Sequence, residues 1–285
     1  MNVLITAGGT AEKIDNVRSI TNTSTGRLGC IIAEAFDRWE EIRTIFYVCG
    51  NRAVKPDVAK ARIIQIEGTA ELESAIVDIC KDESVDAVVH AMAVSDYAVS
   101  AVTTKRALAD SVMEALAERG TKDACFREQV AGLMNGSISV EAAESLRTIF
   151  SEFIGGAREC GHGGKIPSSI DDLMICMKKT PKIISMLREL LPDALIIGFK
   201  LLDGADKKVL TDTARELLLR NRCDYVLAND LTGISADKHI GYLIGSGGES
   251  EYFSTKHEIA AGIVKAALEF KCVGAVQQNG TKCEK

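Results

Sequence analysis

Five short segments of this chain carry residue types that suit the binding of a phosphate or a nucleotide. The first is Ala7-Gly8-Gly9-Thr10, directly after an apolar run. Glycines there let backbone N–H groups approach a phosphate with no Cβ in the way. The segment is neither a G-x-G-x-x-G nor a P-loop ending in Gly-Lys-Ser/Thr, so a plain strand-to-loop turn is the competing reading. The second runs from Asp15 to Gly29 and packs hydroxyls, an amide and two arginines ahead of a helical pattern. Arg18 and Arg27 can bind phosphate, and Ser24 or Thr25 with the free N–H groups of a helix start favours an anion. An N-cap followed by a solvated loop would use the same residues.

The third segment, His90–Tyr97, closes an apolar strand pattern. Asp96, just past the strand's carboxyl end, stands where a ribose or metal-bound phosphate is met, or it closes a turn. His90, inside the apolar run, reads as a core histidine with its hydrogen bonds satisfied. In the fourth, Gly163–Ser169, a lysine on a glycine hinge (Lys165) can swing over a triphosphate as a cation, or be simply solvated. The fifth group joins Lys179–Ile184, Ile197–Lys200 and Leu227–Asp230. Pro181 suits the first turn of a helix; Gly198-Phe199 and Asn229-Asp230 fall at strand carboxyl ends.

These segments must be carried by regular elements. Short β-branched runs predict strands at 2–6, 42–48, 62–66, 85–91, 194–199 and 223–228, and helical periodicity predicts helices at 28–39, 70–81, 182–190 and 206–220. Continuous apolar strands alternating with helices indicate a mostly parallel sheet covered on both faces. The expected fold is therefore α/β, doubly wound and Rossmann-like, with ligands at the carboxyl ends of the strands.

Two regions depart from the alternation. Residues 105–154 read as two or three amphipathic helices punctuated by Gly120 and the Asn135-Gly136 turn, a helical insertion over about 100–160. The Gly-rich run that follows is a candidate flap over about 155–170. Near the end, Gly241–Gly245 and Glu251–Ser254 flank Ser246-Gly247-Gly248, a C-terminal β-hairpin signal. Thr255 and Glu258 have capping-box spacing for a helix through Phe270. One domain over 1–270 and a frayed tail over 271–285 are expected.

Composition narrows the function classes. A net charge of -6 over 285 residues argues against a nucleic-acid partner, which calls for a basic patch. No apolar stretch approaches the ~20 residues a bilayer requires, and no signal-peptide pattern opens the chain. The nine cysteines form no C-x-x-C pair and no zinc spacing; several sit inside apolar runs and read as small reduced core residues, as in a cytoplasmic protein.

Taken in order, ITAGGT, the Asp15–Gly29 run (DNVRSITNTSTGRLG), AMAVSDY, GGKIPSS, KKTPKIIS, IGFKLL and LANDLTGISAD resemble the phosphopantothenate–cysteine ligase family. The resemblance runs from residue 2 to about 268, outside the insertion. The wording around Lys165 looks like the family's free-standing bacterial branch. In other members this domain follows a flavin-dependent decarboxylase, and the present chain is expected to work without one.

The resemblance implies an amide-forming reaction in coenzyme A biosynthesis. The carboxylate of 4'-phosphopantothenate attacks the α-phosphate of CTP or ATP, pyrophosphate leaves, and the amine of L-cysteine displaces the nucleotide monophosphate from the acyl nucleotidylate. Mg²⁺ would offset triphosphate charge; flavin and NAD are not expected, and the residues that hold the metal are unassigned. The family's essential asparagine falls on Asn22 and its flap lysine on Lys165. Arg18, Asn22 and Ala93 fall on the substrate side. The nucleotide side takes Gly8, Gly9, Thr10, Ser24, Gly26, Ala91, Met92, Asp96, Lys165, Pro181, Lys182, Ile183, Ile184 and Phe199. A substrate pocket completed across a homodimer interface is also implied. Leu217 and Asn221 stand where fused members carry two lysines.

Two other classes fit parts of the pattern. Tyr252 and Lys256 have the Tyr-x-x-x-Lys spacing of a nicotinamide-dependent oxidoreductase, which needs both on one helical face, whereas Tyr252 reads as strand. A non-catalytic nucleotide-binding regulator would keep the glycines and Asp96 without needing Asn22 and Lys165 together.

Overall fold

The computed structural model describes residues 1–136, 139–141, 143–144, 147–148, 164–235 and 238–280. In chain order its strands are β1 (Asn2–Ala7), β2 (Ala11–Lys13), β3 (Ser19–Thr21), β4 (Thr44–Gly50), β5 (Ala61–Ile66), β6 (Ala87–His90), β7 (Tyr97–Thr104), β8 (Leu173–Lys179), β9 (Leu195–Leu202), β10 (Tyr225–Ile234), β11 (His239–Gly245) and β12 (Ser250–Phe253). The helices used below are α1 (Arg27–Asp37), α2 (Thr69–Asp82), α3 (Lys105–Lys122), α4 (Ala124–Met134), α5 (Ile183–Leu190), α6 (Lys207–Asn221) and α7 (Lys256–Gly280).

The chain forms two compact units. The first comprises Met1–Ala11, Thr21–Asp96 and Pro181–Lys285; the second comprises Glu12–Ile20 and Tyr97–Thr180.

An eight-stranded sheet in the order β12-β11-β10-β9-β6-β1-β4-β5 organises the first unit. The pairs from β10 through to β5 are parallel, and β11 and β12 add antiparallel pairs at one edge. Strand β1 shows why the parallel strands read as unbroken apolar runs: every one of its residues is buried. Val3, Ile5 and Ala7 join a core with Ile32 and Phe36 of α1 and Ile259 and Ile263 of α7. Leu4 joins the opposite core with Leu72 and Ile76 of α2, Leu187 of α5 and Leu210 of α6. Both faces are therefore covered, as the doubly wound expectation requires. Burying a side chain such as Phe36 completely contributes about 1.5–3 kcal/mol.

In the second unit β7 and β8 pair antiparallel, and α3 packs on β7. Two helices of the expected insertion are present as α3 and α4, Gly136 has the positive φ of a turn, and most of the expected insertion beyond it lies outside the described residues. The ribbon β7–β8 was not legible in the sequence, because its two strands lie some seventy residues apart and neither alternates cleanly.

Several expected boundaries are corrected. Gly120 does not interrupt α3, since one glycine costs only about 1 kcal/mol against alanine within a run of helix formers. The break comes at Asp123, whose extended backbone ends α3 and whose Oδ1 accepts the Phe126 N–H at 3.0 Å. Pro181 lies ahead of α5, because Lys182 is its extended N-cap. Pairing from Tyr225↔Ile197 to Asp230↔Leu202 prolongs β9 and β10, so Phe199, Asn229 and Asp230 sit inside strands and not at their ends. Helix α7 continues past Phe270 to Gly280, there being no proline and, before its last residue, only Gly274 to oppose it; residues 271–280 are thus helix, not a frayed tail. The hairpin β11–β12 is as expected. The Gly155–Gly163 part of the expected flap lies outside the described residues.

Candidate functional site

From β1 the chain winds one way through β4 to β5, and from β6 the other way through β9 to β10. The switch in direction lies between β1 and β6, and sheets of this kind bind ligands beyond the strand carboxyl ends at that point. Gly8–Thr10 leaves β1 there, and Ala91–Asp96 leaves β6.

Close backbone approach explains the glycines. Gly8 has φ 81, and a Cβ on it would lie 2.6 Å from Ala53 Cβ; one on Gly26 (φ 70) would lie 3.1 Å from Gly8 N. A Cβ on Gly9 would stand 2.6 Å from the Asn22 carbonyl oxygen, and one on Gly50 only 2.3 Å from the Gly9 carbonyl oxygen. Gly26 is also the N-cap of α1, and it offers no side-chain oxygen to the first turn. The start of α1 thus meets Gly8 with the Arg27 N–H held only at 3.4 Å by the Thr25 hydroxyl, and the helix dipole there favours an anion. Gly50 and Ala53, absent from the sequence expectations, shape this nest; a glycine at the carboxyl end of a strand, in Cys49-Gly50-Asn51, was the available signal.

Hydrogen bonds then tie the two crossovers together. The Ala93 N–H donates to Gly8 O at 2.8 Å, and Ala93 O accepts the Thr10 N–H at 3.2 Å and the Asn22 carboxamide at 3.1 Å. Buried Thr10 accepts the Ser95 N–H on its hydroxyl at 2.8 Å, while Thr10 O accepts from the Thr21 hydroxyl at 3.0 Å. Because its partner is a carbonyl, Asn22 presents one amide N–H to Ala93; its second N–H and its oxygen remain for a ligand. Asn22 itself is exposed.

Asp96, past β6, is ion-paired with Lys182 at the start of α5, and both side chains are well exposed. Met92 is buried among the α2–α5 core, whereas Ile184 and Phe199 are half-buried. A Cβ on Gly198 would meet Ile184 Cδ1 at 2.8 Å, so β9 and α5 touch beside Phe199. Gly8, Gly9, Thr10, Asn22, Ser24, Gly26, Ala91, Met92, Ala93, Asp96, Pro181, Lys182, Ile183, Ile184 and Phe199 all belong to the first unit.

Arg18 and Lys165 belong to the second unit. There Arg18 forks onto Asp15 Oδ2 through Nε at 3.0 Å and Nη2 at 2.7 Å, and Nη2 also donates to Ile166 O at 2.7 Å. Lys165 lines a cleft of about 280 Å³ with Lys13, Asn16 and Ser100.

Other polar groups of the first unit bond within the protein. Buried His90 has Nδ1 2.8 Å from the Thr6 hydroxyl, and burial pulls its pKa down to about 4, so it is a neutral core histidine as expected. Asp230 accepts from the Thr232 hydroxyl and from Ala205 N–H, which holds its carboxyl below the usual range. Asn229 bonds His239 across β10 and β11 at 3.2 Å. Asn221 receives the Ser185 hydroxyl at 2.8 Å and donates to Leu217 O at 2.8 Å, so it braces α5 against α6. Tyr252 lies in β12 and Lys256 opens α7, so the two do not share a helical face.

The DNA/pantothenate metabolism flavoprotein C-terminal domain family matches this chain over residues 1–123 and 159–270. The chain belongs to that family. The solved DNA/pantothenate metabolism flavoprotein from Streptococcus pneumoniae is 31% identical, with a TM-score of 0.69 over 95% of this chain and 99% of that one. The coenzyme A biosynthesis bifunctional protein CoaBC of Thermococcus kodakarensis is 25% identical over 244 residues, which is 85% of this chain and 44% of that protein. The chain thus spans about half the length of the curated relatives it matches. At the level of fold it is also similar to a Cab2 mutant solved in complex with phosphopantothenate-cysteine, with a TM-score of 0.61, 14% identity, and coverage of 96% of this chain and 88% of that one. No helix among the described residues is long and apolar enough to cross a membrane.

Proposed function

We propose that this chain is a phosphopantothenate–cysteine ligase that works through an acyl nucleotidylate. The observation that carries the reading is the Asn22 carboxamide held on the Ala93 carbonyl at the β1/β6 switch point. The name of its CoaBC relative and the product seen with Cab2 support it.

The chemistry needs a poor leaving group made good. A carboxylate oxygen of phosphopantothenate bonds to the α-phosphorus of CTP or ATP as the bond to pyrophosphate breaks. The cysteine nitrogen then bonds to the acyl carbon, the bond to the nucleotide monophosphate breaks, and the nitrogen gives up a proton. Gly8, Gly9, Gly26 and the start of α1 form the anion-binding turn for the nucleotide phosphates, and Thr10 and Ser24 hold its shape through N–H bonds to Ala93 O and Asn22 O. Ala91, Met92, Asp96, the Pro181–Ile184 turn and Phe199 form its other contacts. Asn22 holds the acyl nucleotidylate by hydrogen bonds, Ala93 and Arg18 contact the substrate, and Lys165 offsets phosphate charge.

Among the described residues no three His, Cys, Asp or Glu side chains gather as a metal set. Mg²⁺ on a triphosphate takes one or two carboxylates and otherwise phosphate and water oxygens, and Asp96, exposed beside Lys182, is a carboxylate the site offers. When bound, the ion would neutralise triphosphate charge. A cytoplasmic homodimer completes the reading.

The test is pyrophosphate release with phosphopantothenate and Mg²⁺, comparing CTP with ATP, with and without cysteine. Release that requires phosphopantothenate, with amide only when cysteine is added, supports the ligase. Nucleotide binding without turnover by folded protein overturns it in favour of a regulator.

A further inference from the structure

The backbone on both sides of Lys165 is held by the loop that carries Arg18. The Asn16 N–H donates to Gly164 O at 2.8 Å, and the Ile166 N–H donates to Asp15 Oδ2 at 3.1 Å. The Arg18 guanidinium closes the set by donating to Ile166 O at 2.7 Å. Gly164 is in the left-handed region at φ 80, which favours glycine, and a Cβ on it would displace the Asn16 carboxamide.

Asp15 is the junction of this arrangement. Its Oδ1 accepts the Val17 and Arg18 N–H groups at 2.8 and 2.7 Å, and its Oδ2 accepts both Arg18 donors and Ile166 N–H. Its side chain is only 4% exposed, whereas that of Arg18 is 43% exposed. These donors, Ile166 N–H foremost, hold the Asp15 carboxyl well below the usual carboxylate range. An acid so engaged has no proton to offer and no open face for a ligand.

We infer that Asp15 is a positioning residue that fixes the Arg18 guanidinium and the Lys165 backbone as one rigid piece, so that two cations are presented together. The inference rests on the ligase reading for what those cations bind, though not for the geometry. Locking rotamers and backbone in this way is how a supporting residue preserves a productive geometry, and misplacement by about 1 Å costs about a hundredfold in rate.

The test uses Asp15→Asn in the full chain. Its Oδ1 still accepts Val17 and Arg18 N–H, so the turn is kept, while its amide turns a donor toward Ile166 N–H and Arg18. Asp15→Ser, which keeps a turn acceptor but is too short to reach Ile166, is the second variant. Hydrogen exchange at the Ile166 amide is expected to quicken at least about tenfold in both variants; unchanged exchange overturns the inference. In single-turnover pyrophosphate release, Asp15→Asn is expected to slow the wild type about ten- to a hundredfold and to slow Lys165→Ala by a clearly smaller factor, the share that acts through Arg18. Equal slowing in both backgrounds overturns action through Lys165, because independent effects add. A wild type that releases no pyrophosphate overturns the ligase reading alone, and the exchange measurement then decides the positioning role.

Discussion

Asn22 and Thr10 share one acceptor: the Ala93 carbonyl takes the Asn22 carboxamide at 3.1 Å and the Thr10 N–H at 3.2 Å. The Asn22 side chain is thereby held on the segment that leaves β6 while remaining exposed. Replacing Asn22 with alanine is expected to lower turnover about a hundredfold or more and to shift stability by less than about 0.5 kcal/mol. Asn22→Asp is expected to be at least as inactive, since a carboxylate would face a carbonyl oxygen. Steady-state rates beside thermal melts check both, and normal turnover in the alanine variant would remove Asn22 from the mechanism.

Gly9 and Gly8 are expected to differ in the way they fail. Gly9→Ala drives a Cβ into the Asn22 carbonyl, so nucleotide binding and turnover fall together as the 21–23 segment is displaced. Gly8→Ala adds left-handed strain to a clash with Ala53 and is expected to cost about 2–4 kcal/mol of stability. Denaturant midpoints and nucleotide titration separate the two; a Gly8 variant as stable as wild type would contradict the nest.

Lys165→Ala is expected to slow pyrophosphate release more than it weakens substrate binding, because its charge matters most as phosphate charge develops. Single-turnover rates and phosphopantothenate titration measure the split. A variant with normal release would exclude Lys165 as the phosphate cation.

Two buried histidines set an acid limb of stability. His90 and His239 have folded pKa values near 4, both lowered mainly by burial, against about 6.5 when unfolded. Between those values the unfolded chain binds more protons, so stability is fully present above about pH 6.5 and is lost as pH falls toward 4. Each fully differential imidazole contributes a slope of up to about 1.4 kcal/mol per pH unit in that window. The lowered carboxyls of Asp15 and Asp230 act below it, since their contribution is lost only as pH falls under about 4. His90→Asn, measured by denaturant melts from pH 4 to 7.5, is expected to flatten the slope by about half; an unchanged slope would refute the assignment.

Thiol labelling is expected to follow burial. Cys125 and Cys272 are exposed, whereas burial raises Cys49 and pushes Cys30 and Cys223 up to about 12. A thiol reagent at neutral pH is expected to modify the first two quickly and the last three only after unfolding. Mass mapping checks this, and rapid labelling of Cys223 would contradict the packed core.

What the sequence determined by itself follows from local physics. Continuously buried runs rich in apolar and β-branched residues, such as Asn2–Ala7, are stable only between two covering layers, so the parallel sheet and its helices were legible. So were the glycines leaving β1, the Asp96 crossover and the neutral core role of His90, each of which depends on neighbours in the chain. The tertiary structure alone decided what depends on distant partners. The β7–β8 ribbon joins segments that show no strand pattern alone, and β9 and β10 run on past their expected ends because each supplies the other's hydrogen bonds. Gly50 crowds Gly9 across two strands, and Asp15 reaches Ile166 from 151 residues away. Motif spacing named Arg18 and Lys165 separately. Only folding places one carboxylate against both the Arg18 guanidinium and the peptide that follows Lys165, because hydrogen bonds select partners by position in space and leave no period in the sequence.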